Sequence, residues 1–315
     1  MKKKSVKDET TKISMRVSKN KLDLLMAEYG TNSVTEVFES LIEEKLKHKF
    51  KRNATRSVIT GIGAKNKLAR RMIELMPEHK IYIEPFGNTA SVLLQKPKVS
   101  KEIYNDIDGN VTNFFLVLRD NPIGLYNACS SLPYSEELYF EFVKADVPTN
   151  PMEKAVRFFY LNRCGFLGHQ SIGFRTFSTD RNHARFYYQE CERFFAISNR
   201  LKNVEILNKN YKKVILKYKD NLDAFFMCDP PYYDGTDYYE TKFSLADHST
   251  LAHKLAEIKG KVMVCHSKNY QIHKLYKGLG FRHESIRTKY ASKIEYDEDG
   301  KRTRPDTLLY LYMNY

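Results

Sequence analysis

Ala224-Phe225-Phe226-Met227-Cys228-Asp229-Pro230-Pro231-Tyr232 sets five apolar residues directly before a carboxylate, two prolines and an aromatic ring. A short apolar run closed by proline reads as a strand buried on both faces, as in a parallel sheet. Pro230 and Pro231 carry no N–H and hold the backbone extended, which leaves the carbonyls free to accept from a ligand. A carboxylate, a rigid carbonyl and a ring at a strand tip suit an exocyclic amino group on a flat base. They offer two acceptors for its protons and a surface to stack on. The tetrapeptide by itself also suits an ordinary strand-ending turn, so its setting in the chain decides its reading.

Working outward, strand and helix patterns alternate. Upstream, helical spacing at Leu68, Met72, Leu75 and Met76 ends at Pro77. A strand over residues 80–84 runs into the turn Pro85-Phe86-Gly87-Asn88 and a helix from Thr89. A second strand over 102–106 precedes a helix with Val111, Phe114, Phe115 and Leu118 on one face. Downstream come a helix through Leu251, Leu255 and Ile258, a strand over 261–266, and a helix with Ile272, Leu275, Tyr276 and Leu279 closed by Gly280. Residues 281–290 and 306–312 read as two strands joined through Asp297-Glu298-Asp299-Gly300, a hairpin signal. The pattern predicts an α/β fold: a Rossmann-like, mostly parallel sheet ending in an antiparallel hairpin. In such sheets ligands bind beyond the carboxyl ends of the strands. Glu84–Asn88, Asp106 and Asp229–Tyr233 should therefore converge on one crevice.

Residues 121–205 break the alternation with a helical insertion. It shows helical spacing at Ala184, Tyr188, Cys191 and Phe195, and a basic stretch with Arg157, Arg163, Arg175, Arg181 and Arg185 against the single acid Asp180. That stretch suits a surface facing nucleic acid, with Phe174 and Phe177 beside Arg175 for stacking; it also suits the basic side of an ordinary helical layer. The whole chain of 315 residues carries 52 Lys and Arg against 38 Asp and Glu, a net charge of +14, which favours a polyanionic partner. Five cysteines without a CxxC pair support neither a disulfide framework nor a zinc ribbon. His248 and His253 lie at i, i+5, a poor ligand pair on a helix, so no metal site is expected. No apolar run approaches a membrane span and none follows the basic Met1–Lys4, so no membrane partner is expected and a cytoplasmic location is.

The first fifty residues read as a separate module, with residues 51–56 as a linker and 57–315 as the main domain. Residues 11–17 alternate, with Ile13, Met15 and Val17 on one face of a strand and Lys12, Ser14 and Arg16 on the other. Ser18 precedes a helix with the stripe Leu22, Leu25, Met26 and Tyr29, and Gly30 ends it. Ser33 and Glu36 form a capping box for a second helix that should bury Val34, Val37, Phe38, Leu41 and Ile42. One strand and two short helices cannot bury these faces alone, so a partner chain is expected. The strand–helix–helix order resembles the ribbon-helix-helix DNA-binding family, which implies a homodimer whose Lys12, Ser14 and Arg16 face double-stranded DNA. The same pattern suits a dimerising arm that does not read DNA.

Over residues 57–315 the order of motifs resembles the Dam-like D12 class of DNA adenine-N6 methyltransferases. Gly63-Ala64-Lys65 matches the family's first glycine–lysine segment, Glu84-Pro85-Phe86-Gly87 its cofactor loop, and Asn105-Asp106 its acidic second strand. Asp229-Pro230-Pro231-Tyr232 matches the catalytic loop, and Phe243–His248 with Leu251-Ala252 the helix after it. The resemblance implies S-adenosylmethionine as cofactor, held by Lys65, Glu84, Pro85, Phe86, Gly87, Asn88, Asp106 and Asn210. It implies Asp229, Pro230, Pro231 and Tyr232 as the catalytic residues acting on adenine N6 of a base flipped out of the duplex. Arg163, Arg175 and Arg181 would lie toward DNA. The displacement it implies needs neither metal nor covalent intermediate, and a bacterial or phage source is expected.

The chain departs from the family where Asn88-Thr89 replaces glycine and Ala64 replaces another. Asn tolerates a left-handed backbone, but a β-branched residue such as Thr89 should not. A DNA-binding regulator that keeps the fold without turnover is the alternative those departures raise. Cytosine N4 presents similar chemistry to the same loop.

Overall fold

The structure, a computed structural model, describes residues 18–38, 41, 56–61, 63–166, 173–176, 182–233, 243–289, 295–296 and 302–315. The chain divides into two compact units, Met1–Asn53 and Ala54–Tyr315.

In the first unit, Ser18 is extended before helix α1 (Lys19–Tyr29) but makes no side-chain cap. Gly30 at φ +62° ends the helix, and the N–H of Thr31 reaches back to the Met26 carbonyl. A second helix, α2 (34–38), follows. The expected capping box forms on one side only. Ser33 Oγ accepts from Glu36 N at 3.4 Å, whereas the Glu36 carboxylate is taken by the Thr31 hydroxyl, which also accepts from Ser33 N. Val37 is fully buried, but Val34, expected beside it, is 43% exposed. The predicted strand over 11–17, with Lys12, Ser14 and Arg16, lies outside the described residues.

The second unit is a seven-stranded sheet. After α3 (Ala69–Glu74) its elements run β1 (Ile81–Glu84), α4 (Ser91–Gln95), β2 (Lys101–Asn105) and α5 (Gly109–Asp120). Then come α6 (Pro122–Ser130), α7 (Glu136–Lys144), α8 (Pro151–Cys164), α9 (His183–Glu192) and α10 (Phe194–Leu201). The sheet resumes with β3 (Val204–Leu207), α11 (Tyr211–Tyr218), β4 (Ala224–Cys228), α12 (Leu245–Ala256), β5 (Lys261–Ser267) and α13 (Tyr270–Gly278). It closes with β6 (Arg282–Lys289), a small ribbon of β7 (Glu295–Tyr296) and β8 (Arg302–Thr303), and β9 (Asp306–Met313). Strand order is β3-β2-β1-β4-β5-β9-β6, parallel except that β9 runs antiparallel between β5 and β6. Ile83 of β1 lies opposite Ile103 on one side and Phe226 on the other, so the order reverses at β1.

Period-two alternation divides the strand residues between two cores. Tyr82, Tyr104, Phe225, Met227, Met263 and Cys265 pack on the face covered by α5, α8 and α10. Ile83, Ile103, Phe226, Cys228, Val262 and Val264 pack on the face covered by α11, α12 and α13. Both faces being buried explains why β4 and the centre of β5 read as unbroken apolar runs.

Three sequence expectations are corrected here. The insertion stops at Leu201, because residues 204–207 form β3, the edge strand beside β2. The helix expected through Phe195 is two helices with Arg193 between them. The helix expected from Thr89 starts at Ser91. Among the described residues no helix is long and apolar enough to cross a membrane.

Candidate active site

The carboxyl ends of β1, β2 and β4 meet, as expected where strand order reverses. Glu84, the last residue of β1, is 4% exposed, and its Oε1 accepts from Tyr82 Oη at 2.6 Å and from Leu93 N, in the first turn of α4, at 2.8 Å. Burial pushes its carboxyl up to about 7, against those two hydrogen bonds. After it the chain turns sharply. Gly87 N donates to Asn105 O at 2.7 Å, and a Cβ on Gly87 would lie 2.1 Å from Cε2 of the fully buried Tyr104 ring. Tyr104 Oη in turn donates to Asn88 O at 2.6 Å.

The left-handed positions of this loop are Asn88 at φ +41° and Ala90 at φ +54°. Thr89 is not one of them; it lies buried with Oγ1 2.6 Å from Ser91 Oγ. The strain expected at a β-branched residue is thus avoided by placing the turn's positive φ on either side of it.

Asp106 follows β2 and joins the loops. Its Oδ2 accepts from Asn88 N at 2.7 Å and its Oδ1 from Asp108 N at 2.9 Å, while burial raises its pKa against these bonds. The N-cap of α5 is Asp108, two residues further on. Asn105, which sequence reasoning named only as part of a motif, is fully buried and pins two loops. Its Nδ2 donates to Pro85 O and Lys209 O, both at 2.9 Å, and its Oδ1 accepts from Lys209 N. Asn210 caps α11 through Oδ1 and Lys212 N at 3.0 Å. Phe86 is half-buried against Tyr211 and Phe243, with ring centroids 5.0 and 6.0 Å away.

Opposite this loop, Lys65 Nζ donates to Asp229 Oδ2 at 2.6 Å and to Gly63 O at 2.6 Å. The lysine side chain is 6% exposed and the aspartate 22%. Tyr232 Oη donates to Asp229 Oδ1 at 3.1 Å and lies 3.1 Å from Cys265 Sγ, a thiol that burial pushes up to about 12. Pro230 is buried, and Pro231 half-buried beside it. Lys65, Glu84, Phe86, Gly87, Asn88 and Asp229 line an open cleft of about 320 Å3. The segment that delivers Lys65 is fixed by Asn162 of α8. Its amide pairs both ways with the Thr60 backbone, Thr60 N to Oδ1 at 2.8 Å and Nδ2 to Thr60 O at 2.7 Å.

The basic residues of the insertion behave differently from expectation. Arg163 has a side chain only 12% exposed, with Nη2 3.7 Å from Glu190 Oε1, and burial lowers its pKa. It lies inside the insertion, not on a phosphate-facing surface, because α9 covers that side of α8. Arg175 is half-buried and donates from Nη2 to Gly165 O at 3.1 Å. Phe174 packs against Tyr134 and Tyr139, centroids 4.9 and 5.8 Å away, so its ring belongs to the core. Arg181 and Phe177 lie outside the described residues. Of the two histidines read as a poor ligand pair, His248 is fully buried and burial pushes it down to about 3; His253 is exposed and bonds Ser249 O. His266 was missed, although it ends the apolar run of β5 much as Asp229 follows that of β4.

A doubly wound sheet with an antiparallel β9 and these loops at its carboxyl edge is the Rossmann-like fold expected from the sequence. Comparison with known proteins sharpens this. The DNA adenine methylase of Haemophilus influenzae is 24% identical over 277 residues, 81% of this chain and 92% of its own. That of Escherichia coli K12 is 23% identical, covering 82% and 95%. Among solved structures, an S-adenosylmethionine-dependent methyltransferase from Agrobacterium tumefaciens overlaps 79% of this chain and 61% of its own at 9% identity and a TM-score of 0.36. Residues 62–292 match the D12 class N6 adenine-specific DNA methyltransferases, and the chain belongs to that family. It is a DNA adenine-N6 methyltransferase.

Proposed function

We propose that the chain transfers the methyl group of S-adenosylmethionine to N6 of an adenine swung out of duplex DNA, with Asp229 and the Pro230 carbonyl as acceptors for the amino group. The observation that carries this reading is the Asp229 carboxylate at the tip of β4, half-shielded and bordered by Lys65 and Tyr232. When bound, the cofactor supplies a methyl group on a positively charged sulfur, open to displacement.

The residues present suit that cofactor. The Asp106 carboxylate meets the backbone N–H groups of Asn88, Asp108 and Ile107 and has about four lone-pair sites, so an acceptor remains for a ribose hydroxyl. Glu84 offers a second carboxyl at the cleft, Phe86 a flat apolar surface, and Asn210 Oδ1 a remaining lone pair. Lys65 holds Asp229 from one side and fixes its orientation. An incoming amino group replaces the Tyr232 hydroxyl at Oδ1, and the released ring then stacks on the base. Bonds from both amino protons to fixed acceptors disfavour the planar conjugated amine and aim the nitrogen lone pair, so alignment and electrostatics carry the rate.

The leading module acts as a dimerising DNA-binding arm in this reading. Its support is an incompletely covered apolar stripe: Leu22, Leu25 and Met26 are only half-buried.

Nucleoside mass spectrometry of unmethylated DNA incubated with the purified protein and S-adenosylmethionine tests the reading, with Asp229→Ala as the control. N6-methyladenine from the wild type and none from the variant is expected. N4-methylcytosine alone would move the target. No methylated base from the wild type, with DNA binding retained, would leave a non-catalytic regulator.

A further inference from the structure

Two successive prolines leave the Asp229-Pro230-Pro231-Tyr232 loop with few backbone donors by which neighbouring strands can hold it. The N–H of Tyr233, just past the tetrapeptide, is spent on a side chain: it donates to Nε2 of His266 at 3.1 Å. His266 is fully buried near the end of β5, the strand paired with β4 in the register Cys228 opposite Val264. Its other nitrogen, Nδ1, lies 2.8 Å from the Ser267 carbonyl. A carbonyl can only accept, so Nδ1 carries the ring proton and Nε2 presents the lone pair that Tyr233 needs. The partners thus select one neutral tautomer.

The same imidazole supports the loop through its face. Its ring centroid is 4.7 Å from that of Tyr232, with 34° between planes. His248 of α12 meets it edge-on at 4.9 Å and 77°, and Phe243 meets His248 at 4.7 Å. His266 therefore touches the loop twice: once at the main chain beyond Tyr232, and once under the ring whose hydroxyl reaches Asp229.

We infer that His266 is a positioning residue for methyl transfer, its Nε2 lone pair fixing the exit of the Asp229–Tyr232 loop and hence the placement of the two amino-group acceptors. This rests on the role given to Asp229 and Pro230 under the proposed function. Loss of the tether lets the loop tip drift. A displacement of about 1 Å at reacting groups costs on the order of a hundredfold in rate, while binding surfaces elsewhere are untouched.

The experiment compares three variants of the full chain by single-turnover methylation at saturating S-adenosylmethionine and DNA. Binding constants for both ligands and thermal unfolding are measured beside it. His266→Phe keeps a ring under Tyr232 but no acceptor. His266→Gln carries an amide oxygen out to the place of Nε2, and His266→Asn stops short at the place of Nδ1. Expected is a rate loss of about 30-fold in the Phe and Asn variants and recovery to within about threefold in the Gln variant, with both affinities within about twofold of wild type. Should His266→Phe not fold, the Asn–Gln contrast decides. Three results would overturn the inference: wild-type rate in the Phe or Asn variant, equal slowness in folded Gln and Asn variants, or affinities that fall in step with the rate. A wild-type protein that methylates no adenine would instead overturn the proposed function.

Discussion

Replacing Gly87 by alanine puts a methyl carbon 2.1 Å from Cε2, 2.5 Å from Cδ2 and 2.6 Å from Cζ of Tyr104. Gly87 is not at positive φ, so the backbone would accept the residue and the conflict is purely steric. The ring has little freedom to move aside. It is 1% exposed, held by its hydroxyl to Asn88 O and packed edge-on against Phe115 at 5.2 Å. Overpacking a well-filled core costs about 1–3 kcal/mol. Losing the hydroxyl's bond as the ring shifts adds about 1 kcal/mol. A loss of about 2–4 kcal/mol corresponds to a melting temperature lower by roughly 5–10 °C in a unit of this size. Because Tyr104 anchors Asn88, the loop moves with the ring, and the dissociation constant for S-adenosylmethionine rises on the order of tenfold, equivalent to about 1.4 kcal/mol. Thermal unfolding and cofactor titration are read for Gly87→Ala, Tyr104→Leu and the double variant. Tyr104→Leu removes Cε2 and Cζ and leaves a shorter side chain whose Cδ atoms can rotate away from the methyl group, so the pair is coupled favourably by about 1 kcal/mol or more. A melting temperature within a degree or so of wild type for Gly87→Ala, or strict additivity in the double variant, refutes the reasoning.

Glu84 gives a stability dependence on pH of unusual sign for a carboxylate. Its folded pKa of about 7 lies above the 4.5 of a glutamate in water, so the native state binds the proton more tightly between those values and stability falls as pH rises through that window. Glu84→Gln keeps an acceptor for Leu93 N and flattens that slope, which is worth up to about 3 kcal/mol; an identical slope in denaturant titrations from pH 4.5 to 7 would rule this out. Arg163→Ala leaves Glu190 with one ion-pair partner fewer and lowers the melting temperature, while the slope of log affinity against log salt stays that of wild type. A shallower slope would return Arg163 to the DNA surface. Removing residues 1–50 gives a monomer with a shallower salt slope; unchanged mass by light scattering together with an unchanged slope would exclude a dimerising DNA-binding arm.

Strands β4 and β5 were legible because burial on both faces writes them as apolar runs, β1 and β2 because β-favouring Ile and Tyr residues sit just before the turn or helix that follows, and the loops after β1 and β4 because turn residues and prolines mark strand ends. Edge strand β3 was not, since Val204-Glu205-Ile206-Leu207 is four residues long and only Val204 is buried. Arg163 was misread for a related reason: a basic residue in a basic stretch looks solvated until the helix carrying Glu190 folds over it. The loop at Asn88 shows another limit. Residue preferences identify which side chains resist a left-handed backbone, but not which position of a turn adopts it, and the turn placed it on Ala90. Contacts such as Asn162 with Thr60, or His266 with Tyr233, join residues far apart in the chain and leave no local pattern.

The pairing of Asn162 with Thr60 also sets a path for force. The covalent chain from the leading unit enters the catalytic unit near Ser57 and reaches Lys65 only after passing Thr60. Tension on that chain is met in turn by the Arg193 guanidinium at the Arg56 carbonyl, by the bond from Ser57 N to Asn66 Oδ1, by the buried side chains of Val58 and Ile59, and by the two hydrogen bonds to the Asn162 amide. Lys65, beyond this anchorage, keeps its grip on Asp229 under a pull that would otherwise drag it from the cleft. The anchorage works as a strain relief, the clamp that protects a soldered joint from the cable leading to it.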